Sequence, residues 1–387
     1  MSLLPYGRQW ITEADIQAVT DVLKSDWLTQ GPAIERFERA VADYCGAKHA
    51  LALSSATAAL HIGALALGLG PGDRLWTSPN TFVASANCAR YCGAEVDFVD
   101  IDPRTYNISV EKLTAKLEQA AKEGKLPKVV VPVDFAGQSC ELDKFQALSK
   151  KYGFAIMQDA SHAIGAKYQG LPTGDGRFSD LTVFSFHPVK IITTGEGGMI
   201  VTNRTDLYEK LLRLRTHGIT RDPKFLTQPS HGGWYYEQLE LGYNYRMTDI
   251  QAALGASQMT RLEEFVNRRR VLAARYNALL KDFPLTLPHQ HADTNSSWHL
   301  YVIRLQLDRI SKTHRQVFEE LRANGIGVQL HYIPVHTQPY YQELGFKAGY
   351  CPEAERYYGE VISLPMFAAM TDDDQDRVVE TLKRILG

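Results

Sequence analysis

The chain has 387 residues, enough for one large and one smaller domain, and 44% of them are apolar, so a sizeable core forms without membrane burial. Its 42 basic and 44 acidic residues leave a formal charge of −2, which argues against a general nucleic-acid binder. The five cysteines, Cys45, Cys88, Cys92, Cys140 and Cys351, are odd in number and lack CxxC or Cys/His metal spacing, so buried thiols in a reducing compartment are expected, with no metal site. The N-terminal MSLLPYGRQW has no basic region followed by an apolar run, and the apolar stretch His49–Gly70 is interrupted by Ser54, Ser55, Thr57 and His61. A cytoplasmic protein without membrane contact is the expectation.

Thr12-Glu13-Ala14-Asp15 resembles a capped helix start with an acidic first turn. From about residue 45 to 205, short apolar runs alternate with helical stretches. Strands are predicted at His49–Leu53, Arg74–Thr77, Glu95–Val99, Lys128–Val133 and Phe154–Gln158. Helices are predicted between them at Ala56–Leu67, Thr81–Tyr91, Ser109–Lys122 and Glu141–Lys151, with further strands at Leu181–Phe186 and Met199–Thr202. Repeated strand–helix units imply an α/β fold with a mostly parallel sheet, whose ligands gather beyond the carboxyl ends of the strands. Met247–Ala278 reads as one long helix with Gly255 as its weak point, and Pro284 marks a hinge. A smaller α+β unit follows, with strands at Trp298–Leu307 and Gly327–His331 and helices near His314–Asn324 and Asp373–Leu386. The expected division is a large domain over residues 13–260, a small one over 261–387, and residues 1–12 as a segment near the active site.

Lys190 is the most informative residue. It lies between the apolar run ending at Phe186 and the turn Gly195-Glu196-Gly197-Gly198, with few charges nearby. Desolvation disfavours the charged ammonium, and an amine so tuned attacks carbonyls. Alone, Lys190 does not outweigh the ordinary reading, a strand-end lysine with its head in water, which is what most lysines are.

Partners elsewhere change that balance. Asp159 ends an apolar strand, where a carboxylate can pair with a protonated ring nitrogen, although taken alone an Asp capping the next turn is the favoured reading. Ser54-Ser55-Ala56-Thr57-Ala58-Ala59 is a small-residue turn opening a helix, where free N–H groups meet anions. The same turn is equally an ordinary Ser/Thr cap. Phe82 follows another strand, where an aromatic can stack on a flat ring, although packing in the core is the usual fate of a phenylalanine. Ser185 is a second candidate phosphate ligand. His162 and His187 are candidates beside the ring or structural histidines. Asn244, in Gly242-Tyr243-Asn244-Tyr245-Arg246, is by spacing alone more often a turn residue than a ligand. A GxSxG elbow and a GxGxxG fingerprint after the first strand are both missing from the sequence.

With these residues in place, the whole chain resembles the DegT/DnrJ/EryC1/StrS sugar-nucleotide aminotransferases, which have the aspartate aminotransferase (type I) fold. The resemblance is carried by Pro5–Gln9, Leu28–Pro32, Ser54–Ala59, Asp159–Ala163, Phe184–Gly198, Gly242–Arg246 and His331–His336. It implies pyridoxal 5′-phosphate (PLP) as cofactor, bonded covalently to Lys190. Asp159 would pair with the pyridine nitrogen and Phe82 would cover one ring face. Ala56, Thr57 and Ser185 would hold the phosphate. Asn244 would reach the phosphate of the neighbouring subunit's cofactor, making a homodimer the catalytic unit. Tyr6, the segment Trp27, Leu28, Thr29 and Gln30, and the segment His331, Tyr332, Ile333 and Pro334 would contact the sugar nucleotide.

Within the group, FSFHxxKxITTxEGG and HYxPVH are most similar to the transaminases that make UDP-4-amino-4,6-dideoxy-N-acetyl-β-L-altrosamine on the route to pseudaminic acid. L-Glutamate would be the amino donor and a UDP-linked 4-keto-6-deoxy-N-acetylhexosamine the acceptor. Another nucleotide-linked 4-ketosugar is the nearest alternative. Dehydratase relatives carry histidine in place of the lysine, so Lys190 favours transamination. A non-catalytic sugar-nucleotide binding or regulatory protein is the alternative of a different class.

Overall fold

The computed structural model describes residues 3–387. Two helices come first, α1 (Glu13–Leu23) and α2 (Pro32–Cys45). The capped start of α1 is present, with Thr12 N–H donating to Asp15 Oδ2 at 2.9 Å. Strand–helix units follow: β1 (His49–Leu53), α3 (Ala56–Ala66), β2 (Arg74–Thr77), α4 (Ala84–Tyr91), β3 (Glu95–Phe98), α5 (Val110–Glu123), β4 (Val129–Val131), α6 (Leu142–Tyr152) and β5 (Ala155–Asp159). A short hairpin of β6 (Lys167–Tyr168) and β7 (Leu171–Pro172) leads to β8 (Leu181–Ser185) and β9 (Gly198–Thr202).

Seven strands form one sheet in the order β1-β9-β8-β5-β4-β2-β3. β9 runs antiparallel to both of its neighbours, and the other pairings are parallel. The mostly parallel sheet expected from sequence is thus present, with β9 its reversed member. β8 and β9 are buried along their whole lengths, as continuous apolar runs covered on both faces require. The helix α3 lies on the sheet through Ala59, Ile62 and Gly63. A Cβ at position 63 would meet Met157 Sδ at 2.8 Å, so glycine sets this helix–sheet distance.

Beyond the sheet come α7 (Thr205–Arg215), the pair β10 (Ile219–Thr220) and β11 (Glu237–Gln238), and then α8 (Asp249–Met259) and α9 (Leu262–Leu280). The single helix predicted over Met247–Ala278 is therefore two. The chain tightens at the end of α8, where Thr260 N–H donates to Ser257 O and Arg261 N–H to Gln258 O. Arg261 then leaves helical geometry at φ −112° and ψ 7°. Gly255 is not the break. It is a packing residue, since a Cβ there would strike Phe37 Cζ at 2.6 Å.

The last part contains β12 (Leu285–Thr286), β13 (Thr294–Asn295), β14 (Tyr301–Leu305), α10 (His314–Ala323), α11 (Pro339–Glu343), α12 (Pro352–Tyr358), β15 (Val361–Leu364) and α13 (Asp372–Leu386). β12, β14 and β15 form an antiparallel sheet, against which α9, α10 and α13 bury Tyr276, Leu321 and Leu382. The strand predicted at Gly327–His331 is absent as a continuous element. Its backbone is divided between two isolated bridges, Leu4–Ile326 and Gln329–Ser363. The first ties the N-terminal segment to this part of the chain, with Gly327 N–H donating to Leu4 O at 2.7 Å. Among the described residues, no helix is long and apolar enough to cross a membrane.

Candidate active site

A cavity of about 490 Å³ opens at the carboxyl edge of the large sheet, within the usual range for small-molecule sites. Its floor joins the predicted cofactor residues Ala56, Thr57, Phe82, Asp159, His162, Ser185 and Lys190. Tyr6, His331 and Tyr332 close it from the N-terminal segment and the later part of the chain.

The candidate anion cradle is the first turn of α3. Ser55 caps it, its Oγ accepting from Ala58 N–H at 3.1 Å, while the N–H groups of Ala56 and Thr57 are left for a ligand. Gly198 makes this turn possible. It begins β9 opposite Leu53 and Ser185, and a Cβ there would sit 2.5 Å from Ala56 N.

Asp159 ends β5 and is 4% exposed. Its Oδ1 accepts from Ser161 N–H at 3.1 Å and its Oδ2 from the Ser85 hydroxyl at 2.6 Å. The carboxylate is thus held from two sides while it lines the cavity. Phe82 lies in the turn before α4 rather than in the helix predicted from Thr81; the residue is 60% exposed and lines the cavity. A ring so placed has no core to fill, which favours the stacking role over packing.

Lys190 follows β8 through Phe186 and His187, and its N–H donates to His187 O at 2.9 Å. Burial of its ammonium pushes the pKa down to about 8, and the charge of Asp159 pulls the other way. His162 accepts from Ala136 N–H on Nδ1 at 3.3 Å, and its Nε2 lies 3.1 Å from Tyr332 Oη. His299 stands beside it, with ring centroids 4.4 Å apart. Burial holds both imidazoles neutral, far below the ordinary histidine range. His331 bonds Ser363 Oγ through Nδ1 at 2.8 Å and is pushed down to about 3 by burial.

Other predicted residues lie elsewhere in this single chain. Trp27 and Leu28 are 55% and 48% exposed, Thr29 bridges Thr248, and Gln30 belongs to a separate surface hollow beside Arg215 and Arg246. Asn244 is exposed and bridges Thr216. Ile333 faces outward, and Pro334 is buried at the start of a short turn over Val335–Thr337. Conversely, Ser85, Ser161, Glu196 and His299 line the cavity without having been singled out in the sequence. Ser85 carried no signal of its own, since its partner Asp159 is 74 positions away in the sequence.

These groups fit PLP by their chemistry: N–H donors for a phosphate, a fixed carboxylate for a ring nitrogen, an uncovered aromatic face and an amine that burial makes nucleophilic. That donor set on a type I α/β sheet defines a PLP-dependent aminotransferase. The model of the DegT/DnrJ/EryC1/StrS aminotransferase family matches residues 9–383, and the chain belongs to that family. It is therefore a PLP-dependent sugar aminotransferase. The spore coat polysaccharide biosynthesis protein SpsC of Bacillus subtilis is 40% identical over 386 residues, covering 99% of this chain and 97% of SpsC. Among solved structures, Helicobacter pylori PseC, an aminotransferase of pseudaminic acid biosynthesis, superposes with a TM-score of 0.90 at 32% identity, covering 100% of this chain and 99% of PseC. Spr1654 of Streptococcus pneumoniae in its PLP form gives 0.88 at 30% identity, covering 99% of this chain and 98% of that one.

Proposed function

We propose that the chain transfers the amino group of L-glutamate to C4 of a UDP-linked 4-keto-6-deoxy-N-acetylhexosamine, giving UDP-4-amino-4,6-dideoxy-N-acetyl-β-L-altrosamine for pseudaminic acid biosynthesis. The observation that carries this reading is the full-length similarity to PseC, together with a cavity that joins Tyr6, His331 and Tyr332 to Lys190.

In this reading Ala56, Thr57 and Ser185 bind the cofactor phosphate, Asp159 holds the proton on the ring nitrogen, and Phe82 covers a ring face. PLP supplies a carrier for the amino group and an electron sink for the donor's α-carbon. Lys190 Nζ would hold the cofactor at rest and, once freed, its amine would serve as the base and acid that move the proton of the donor's α-carbon during amino transfer. A pKa near 8 suits it to both directions near neutral pH. His162 and Tyr332 form a neutral, hydrogen-bonded wall beside the reacting atoms. Tyr6 and the residues His331–Pro334 orient the sugar. The exposed Trp27–Gln30 segment and Asn244 serve the active site of a second copy, so the catalytic unit is a homodimer in the cytoplasm.

A second reading has its own support. The 40% identity to SpsC, a spore coat polysaccharide protein, favours a different nucleotide-linked 4-ketosugar as acceptor. Incubation with L-glutamate and a panel of nucleotide-linked 4-keto-6-deoxy sugars separates the two readings. Mass and NMR of the product should show amination at C4 of the UDP-linked N-acetylhexosamine. Amination of another member of the panel alone establishes the second reading.

A further inference from the structure

We propose that Ser85 is a positioning residue for Asp159 and that Thr81, behind it, completes a hydrogen-bond chain coupling the ring-nitrogen partner to the turn that carries Phe82. The inference rests on the assignment of Asp159 to the ring nitrogen and extends the site to two hydroxyls with no role so far.

The direction of the chain follows from counting protons. A carboxylate only accepts, so across the 2.6 Å contact Ser85 Oγ is the donor to Asp159 Oδ2. Ser85 has one hydroxyl proton. The 2.7 Å contact between Thr81 Oγ1 and Ser85 Oγ must then run from Thr81 to Ser85. The alternative acceptor for Ser85, Phe82 O, is 3.4 Å away and competes poorly. Thr81 and Ser85 are both buried, so water cannot replace either donor without rearrangement.

Two consequences follow. The first is orientational. Ser85 on Oδ2 and Ser161 N–H on Oδ1 fix the carboxylate plane from opposite ends and leave its remaining lone pairs for the cavity. The second is electrostatic. A short bond donated to a charged acceptor stabilises the charge, and a chain of two hydroxyls strengthens the terminal bond. A carboxylate so held would leave the shared proton on the ring nitrogen of a bound cofactor. The same chain spans Thr81 to Ser85 across Phe82, so one set of bonds sets both the edge contact and the face contact of the ring.

The test uses the apo-protein titrated with PLP labelled with nitrogen-15 in the ring. It reads the ring-nitrogen chemical shift and the dissociation constant, with turnover as a third measurement. Ser85→Ala should move the nitrogen shift toward the unprotonated value and weaken PLP binding by about tenfold to a hundredfold, the usual worth of a hydrogen bond to a charged group. Ser85→Thr keeps the hydroxyl and should restore both. Thr81→Val should move the shift in the same direction by less, and it gives the same reading if Ser85→Ala does not fold. An unchanged nitrogen shift in both Ser85→Ala and Thr81→Val overturns the proposal, as does a Ser85→Thr protein as impaired as Ser85→Ala. Asp159→Asn is the control. If it leaves the nitrogen shift unmoved, the role of Asp159 itself fails. If it moves the shift and Ser85→Ala does not, the inference about Ser85 alone fails.

Discussion

Tyr332 Oη lies 3.1 Å from His162 Nε2, while Ala136 N–H points at the other ring nitrogen from 3.3 Å. A backbone N–H can only donate, so His162 Nδ1 is the acceptor and Nε2 carries the ring proton. His162 then donates to Tyr332, whose own hydroxyl proton is free to turn toward the cavity. Residues 170 apart in sequence are thereby fixed as a donor–acceptor pair on the cavity wall. Tyr332→Phe strands a buried N–H and should destabilise the apo-protein by about 1–3 kcal/mol. Thermal unfolding of the two apo-proteins checks this. Equal midpoints would mean that the pair contributes nothing to the fold.

Lys190 should govern the pH dependence of cofactor attachment. Its amine is the reactive form, and burial places the pKa at about 8 instead of the ordinary 10.5. The free amine falls about tenfold per pH unit below that value. Covalent attachment of PLP to the apo-protein should accordingly speed up with pH and level off above about 8. Stopped-flow absorbance between pH 6 and 10 gives the profile, and a rate still climbing at pH 10 would identify an ordinary solvated lysine. Lys190→Arg keeps the charge but cannot form the bond, so turnover should fall by about a thousandfold or more.

How much of this was readable in the sequence depends on the kind of constraint. β1, β5 and β8 announce themselves as apolar runs, and the residues at their carboxyl ends, Ser55, Asp159 and Ser185, inherit the site from the topology of a parallel sheet. Asp159 is legible as a charged residue ending an apolar run, and Lys190 as a lone charge between an apolar run and a glycine-rich turn. Ser85 is not, since a serine in a helix looks like any other until folding brings it to a residue 74 positions away. Helix propensity makes Gly255 the weak point of one long helix over Met247–Ala278, but the chain breaks between Met259 and Leu262, and the glycine answers to Phe37, a tertiary contact that propensity does not contain. The Gly327–His331 strand failed for a related reason. Its backbone partners, Leu4 and Ser363, come from distant segments and divide it.

Gly198 should be indispensable to the phosphate cradle. A Cβ at this position would lie 2.5 Å from Ala56 N and 2.5 Å from Ser55 C, both backbone atoms that cannot swing aside. Gly198→Ala must push α3 away from β9 or distort β9 itself. Overpacking of this kind costs about 1–3 kcal/mol. The displaced groups are the cradle N–H donors, so PLP affinity should fall by about tenfold or more in step with that cost. Fluorescence titration of the apo-variant measures it. Gly195→Ala is the comparison, since its added Cβ meets nothing within 4 Å, although its φ of +81° is itself strained for alanine. Equal PLP affinity in the two variants would refute the close approach as the reason for glycine at 198.

Asp134 offers a pH-dependent test of stability away from the cavity. It is fully buried, with Oδ1 accepting from Cys140 N–H at 2.9 Å and Oδ2 from Gln158 Nε2 at 2.6 Å. Burial pushes its carboxyl up to about 7, and the neighbouring charge of Asp159 adds to the rise, while the two donated bonds oppose it. The sign follows from proton counts. In the unfolded chain this carboxyl ionises near 3.8, whereas the folded chain holds the proton up to about 7. Between those values the folded state binds the extra proton, so the contribution of Asp134 to stability is full below about pH 4 and declines as pH rises to about 7. Asp134→Asn removes the titration. Its stability relative to the parent should therefore climb through that window, by at most about 1.4 kcal/mol per pH unit, and stay constant above it. Calorimetry of both apo-proteins at pH 4.5, 6 and 8 makes the comparison. An offset that does not change across the three values would show that Asp134 ionises alike in the folded and unfolded chains.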